Sequence, residues 1–149
     1  MNRLRTGLAV ILLAGSIAGC GSASGLTREA TVPVNGTATY QGTPLPGYLI
    51  TFVPVDGRRS AGGLTDSDGK FQLGTNSPGD GCPPGRCKVS VAWGGPPQEE
   101  PGNEVLIEDP RKIPKAPIKL PATLEDPNTS GLEVEVPAGG LRDYALEIK

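Results

Sequence analysis

The chain has 149 residues, a formal net charge of -2 and no histidine. One domain of ordinary size fits that length, the acidic balance argues against a nucleic-acid partner, and the missing imidazoles remove Ser-His-Asp and Cys-His nucleophile activation. Glycine and proline, 22 and 16 residues, together reach the range in which disorder competes with folding, so hydrophobic periodicity has to decide whether a core exists.

At the amino terminus, Arg3 and Arg5 precede the unbroken apolar run 8–14, which is the basic head and apolar body of a secretory signal peptide. A spanning helix needs about 18 or more mainly apolar residues, and Gly15, Ser16, Gly19 and Gly21 dilute the run too early. The run closes on Ile17-Ala18-Gly19-Cys20, which resembles the lipobox of bacterial lipoproteins: a branched apolar residue, two small residues, then the obligatory cysteine. The resemblance implies that Cys20 sulfur takes a diacylglyceryl group, that a peptidase reading Ile17, Ala18 and Gly19 cuts before it, and that the new amino terminus is acylated. Two or three acyl chains anchor stably where one is marginal. The competing reading is an ordinary secretory signal whose cleavage site happens to contain a cysteine. The expectation is a lipoprotein signal peptide over 1–19 and a flexible tether over 20–30. The mature chain, with 12 basic against 16 acidic residues, is then extracytoplasmic, on a periplasmic membrane face or at the cell surface.

Beyond the tether, Val32, Val34, Ala38 and Tyr40 alternate with polar residues, the period of a half-buried strand. Pro33 cannot donate to a ladder, so it belongs at an edge or near the strand's start. A turn at 41–44 leads to YLITFV, residues 48–53, apolar on both faces as a central strand is. A weaker strand over 62–65 is followed by Asp66-Ser67-Asp68-Gly69 and a strand over 70–73; this is a hairpin in which Gly69 can take a positive φ. Val89 and Val91, then Leu132, Val134 and Val136, then Tyr144, Leu146 and Ile148 mark three more alternating runs. Six or seven short strands between Gly/Pro turns describe an all-β, antiparallel sandwich over 31–149. A proline-rich loop at 94–127, whose one short apolar cluster is Val105-Leu106-Ile107, is long enough to be functional or mobile.

The order of motifs is itself informative. VNGTATYQGTPLPGYLITFVPVDG (34–57), LTDSDGKFQL (64–73), PPGRCKVSV (83–91) and DPNTSGLEVEV (126–136) resemble the carboxypeptidase regulatory-like domain of small bacterial lipoproteins. The resemblance implies a transthyretin-like or Ig-like Greek-key sandwich of about seven strands, and a non-catalytic accessory or binding module. It covers most of 32–149 and leaves the 94–122 loop without support.

With Cys20 lipidated, Cys82 and Cys87 remain, and an even remainder outside the cytoplasm favours one structural disulfide; the alternative is two reduced thiols, with Cys87 packed as a small apolar side chain. Zinc lacks two further ligands, and calcium at Asp66 and Asp68 lacks most of its oxygens, so no metal or cofactor is expected and the two aspartates are assigned to the turn. Glu133 and Glu135 sit on the polar face of their strand and are expected in solvent. Trp93 and Tyr48 are the rings best suited to stack on a sugar or peptide if a ligand binds, although a core or strand-end packing role is the favoured reading of each. Arg58-Arg59 could meet an anionic lipid surface, but two charges are too few for a polybasic segment. The leading expectation is therefore a non-enzymatic, lipid-anchored module with a structural or protein-binding role in the cell envelope. The alternative is a carbohydrate- or peptide-binding accessory lipoprotein using Trp93 and the 94–122 loop.

Overall fold

The computed structural model describes residues 28–96 and 114–149; the signal peptide, Cys20 with its lipobox, and the Val105-Leu106-Ile107 cluster lie outside them. Strand β1, Val34–Tyr40, is the centre of the first sheet. On one side, β2 (Thr43–Pro44) and β5 (Lys70–Gln72) pair antiparallel with its last and first halves. Along the other side runs β8, Leu141–Ile148. The second sheet has the order β4 (Ala61–Leu64), β3 (Tyr48–Pro54), β6 (Gly85–Trp93), β7 (Leu132–Val136), all antiparallel. The one helical element among the described residues is a 3-10 turn over Ala122–Glu125, which packs against β6 through the buried Leu124.

The chain is thus an all-β fold of two sheets, and every alternating run in the sequence becomes a strand. Two details differ. The β1–β8 pair is parallel, not antiparallel. Its cause is topological: β7 finishes beside Gly85 at the start of β6, the turn 137–140 crosses to the other sheet, and β8 must then set out from the same end as β1. Strand β3 is central, as its apolar run requires, but only one of its faces is covered. Tyr48, Ile50 and Phe52 are buried while Leu49 is 41% exposed, because a two-layer fold leaves each sheet one wet face.

Between the sheets, Val34, Ala38, Phe71, Leu146 and Ile148 of the first meet Ile50, Phe52, Val89, Val91 and Val136 of the second in one core. Phe52 spans the layers, with its ring centroid 6.4 Å from Phe71 and 6.5 Å from Tyr144. Side chains of this size each contribute roughly 1.5–3 kcal/mol on full burial, which is how a Gly/Pro-rich chain escapes disorder. Beside Phe71 and Tyr144 the β1 strand carries Gly36. A Cβ there would run into the Tyr144 carbonyl oxygen and lie 3.0 Å from the Phe71 ring, so the close approach of β8 requires a glycine.

The chain enters beside the turn 74–82. Val32 and Cys82 exchange both backbone hydrogen bonds, at 2.9 and 3.0 Å, and Pro33 follows immediately, ahead of the first ladder residue, where its missing N–H costs nothing.

Candidate functional site

At the end of the fold opposite this entry, β3 begins with Tyr48 and β6 ends with Trp93, direct cross-strand partners. Their rings pack edge to face with centroids 5.2 Å apart. Neither is a free platform. Tyr48 is 1% exposed; its hydroxyl donates to the Ile118 carbonyl and accepts the Ile118 N–H at 3.2 Å. Trp93 is half-buried and its Nε1–H donates to the Pro114 carbonyl at 2.8 Å. Burial pushes the Tyr48 phenol up, and the N–H that Ile118 donates to its oxygen only partly offsets it. The two rings therefore clamp residues 114–120, whose Ala116, Ile118 and Leu120 pack onto the core. Gly47 makes room for this arrangement: it takes φ +77°, and a Cβ would collide with the Gly95 carbonyl and stand 2.9 Å from the Trp93 ring. Beneath it, the Thr65 hydroxyl accepts the Tyr48 N–H at 2.8 Å and donates to the Leu45 carbonyl at 2.5 Å, so the buried polar groups of this end are satisfied.

At the entry end, the Cys82 and Cys87 sulfurs face each other at 3.9 Å, a hydrogen-bonded contact and not a covalent bond, with both residues fully buried. The hydrogen bond between them raises the Cys82 thiol, with burial adding to the effect, and lowers that of Cys87. Arg58 closes over the loop: it donates to the Pro84 carbonyl at 2.5 Å and holds Asp56 at 2.7 Å, and a Cβ on Gly85 would stand 3.0 Å from its guanidinium.

The DSDG turn is built as a turn. Asp66 Oδ1 accepts the N–H groups of Asp68 and Lys70 at 2.9 and 2.8 Å, and Gly69 takes φ +75°. No group of three or more potential metal ligands occurs among the described residues. Glu133 and Glu135 are exposed.

Two features escaped the sequence reading. The first is a clamp on the entering chain: Asn76 Oδ1 accepts the Glu29 N–H at 3.0 Å, and its Nδ2 donates to the Glu29 carbonyl at 3.1 Å and to Asp80 at 3.0 Å. Asp80 also accepts the N–H groups of Thr75 (2.7 Å) and Asn76. Burial pushes its carboxyl up, but these bonds prevail and hold it below the usual range. The second is a surface groove of about 510 Å³ between Leu49 and Leu64 on one side and the turn 74–79 on the other, floored by Gly62 and Gly63. The Asn76 and Asp80 side chains signal only a turn, and a Gly-Gly pair gives no chemical signal, so neither feature was legible beforehand. No family model, no curated protein and no solved structure matches this chain.

Proposed function

We propose that this chain is a lipid-anchored, extracytoplasmic module of the carboxypeptidase regulatory-like, transthyretin-like kind, non-enzymatic, with a structural or protein-binding role in the cell envelope. The observation that carries the choice of a structural module over a ligand-binding accessory is that Tyr48 and Trp93 direct their polar atoms to Ile118 and Pro114 of the same chain. Rings so engaged hold a fold together, the role that their contacts within the chain support. The anchor is supported by the lipobox-like Ile17-Ala18-Gly19-Cys20, and the Cys82–Cys87 contact supports a bridge that forms in an oxidising compartment.

Mass spectrometry of the membrane fraction is expected to find the mature terminus at an acylated Cys20, and Cys20→Ala to yield a released or unprocessed chain. An unmodified chain beginning elsewhere removes the anchor from this reading. Cross-linking of the anchored protein is expected to capture a protein neighbour. A glycan or peptide whose binding is abolished by Trp93→Ala, in a variant that stays folded, replaces the structural role with the accessory one.

A further inference from the structure

The structure gathers what the sequence scatters. All five described arginines stand at the end where the chain enters: Arg28 in the entering segment, Arg58 and Arg59 in the turn after β3, Arg86 at the start of β6, and Arg142 at the start of β8. The described lysines, Lys70, Lys88, Lys115, Lys119 and Lys149, lie further along the strands or at the other end. Arg58 is occupied by Asp56 and the Pro84 carbonyl, and Arg28 is 72% exposed beside Asp80. Arg59, Arg86 and Arg142 are exposed and make no ion pair among the described residues.

Acidic residues accompany the arginines. Glu29, Asp56, Asp80, Glu135 and Asp143 share this end, which leaves it near neutral, so the acidic excess of the mature chain falls elsewhere. Part of it lies between Pro96 and Pro114, where Glu99, Glu100, Glu104, Glu108 and Asp109 outnumber Arg111 and Lys112. Both flanks of that segment sit at the Trp93 end.

We propose that the arginine end is the face laid against anionic phospholipid headgroups, with Arg28, Arg59, Arg86 and Arg142 on their phosphates and the Tyr48–Trp93 end turned away from the membrane. The proposal rests on the anchor reading for its tether. From Cys20 to Arg28 the chain reaches at most about 28 Å, and the Asn76 and Cys82 contacts fix its exit at this end. A surface held that close meets headgroups at high effective concentration, so contacts too weak to recruit a free protein suffice to orient an anchored one. The planar guanidinium fork matches phosphate oxygens better than an ammonium does.

The test couples the mature chain, from Cys20, to a maleimide phospholipid in vesicles, since Cys82 and Cys87 are buried. This supplies the tether chemically, so the result stands apart from whether cells acylate Cys20. Hydrogen exchange of the amides at 55–60 and 138–142 is expected to be several-fold slower in vesicles containing phosphatidylglycerol than in phosphatidylcholine alone. The amides at 41–47 and 66–69 are expected to be unchanged. The difference is expected to collapse at about 0.5 M salt, where screening is strong, and in the double variant Arg59→Glu/Arg86→Glu. Equal exchange in the two lipids, or protection at 41–47 and 66–69 instead, overturns the proposal.

Discussion

Tyr48 and Trp93 stand opposite each other across the β3–β6 ladder, and each commits its one polar side-chain group to the chain returning at 114–118. The pair thereby closes one end of the fold, doing with two aromatic side chains what a further strand would do with a ladder.

Tyr48→Phe keeps the ring and removes the hydroxyl, leaving the Ile118 N–H and carbonyl without their partner. A loss of about 1–2 kcal/mol is expected, read as a lower urea midpoint with an unchanged slope, together with faster proteolysis near 114–120. Trp93→Ala also removes the edge-to-face contact and is expected to cost more, roughly 2–4 kcal/mol. Full stability in both variants would contradict the clamp.

The Cys82–Cys87 pair makes a second prediction. A bridge between sulfurs already in contact closes a loop of six residues, worth about 2 kcal/mol by the chain-entropy relation. Non-reducing peptide maps of protein from the envelope are expected to join the two cysteines. Reduction is expected to lower stability by about that amount, and Cys82→Ala/Cys87→Ala to become insensitive to reductant. Native protein in which both thiols react fully on unfolding, without a reductant, removes the bridge and leaves a packed thiol pair.

Much of this fold was readable in advance where side-chain alternation is unbroken, as along Val32 to Tyr40 and Leu132 to Val136. It failed where backbone geometry breaks the period. Strand β8 begins at Leu141, yet alternation is legible only from Tyr144, because Asp143 adopts φ +53° and the register against β1 shifts there. An inserted residue of this kind puts both Leu141 and Tyr144 against the core at a spacing of three. The two-residue β2 is too short for any periodic signal. The aromatic site was legible as residues but not as a role: a tyrosine and a tryptophan at strand ends look alike whether they face a ligand or clamp their own chain, and the partner carbonyls of Pro114 and Ile118 carry no side-chain signature.

Gly36→Ala tests the close approach of β8 to β1. The added methyl meets the Tyr144 carbonyl, part of a backbone held by a parallel ladder, so the strand has to move as a unit. A loss of about 3 kcal/mol is expected, at the upper end for overpacking, seen as a fall in Tm and a weakened near-ultraviolet signal from Tyr144. Gly42→Ala is an instructive companion: no atom lies within 4 Å of its added carbon, and its cost comes from φ +81° alone, about 1 kcal/mol.

The last prediction concerns acid. Asp80 is held below its ordinary carboxyl range because the amides of Thr75 and Asn76 and the Asn76 side chain outweigh the burial that pushes it up. A carboxyl with a depressed folded-state pKa contributes stability that is fully present above its unfolded pKa, about 3.9, and is lost as pH falls through the lower folded value. The entering chain is coupled to this group through Asn76, which binds Asp80 and Glu29 together. Protonating Asp80 should therefore loosen the 74–82 turn and the segment at 28–32 before the β3–β6 core responds. Hydrogen exchange between pH 5 and pH 3, corrected for intrinsic rates, is expected to show Glu29 and Thr75 losing protection first. Asp80→Asn is expected to be less stable at neutral pH, by about 2 kcal/mol for weakened charge-assisted bonds, with a flatter profile below pH 4. A variant that retains the wild-type acid profile would assign that sensitivity to another carboxylate and detach Asp80 from the clamp.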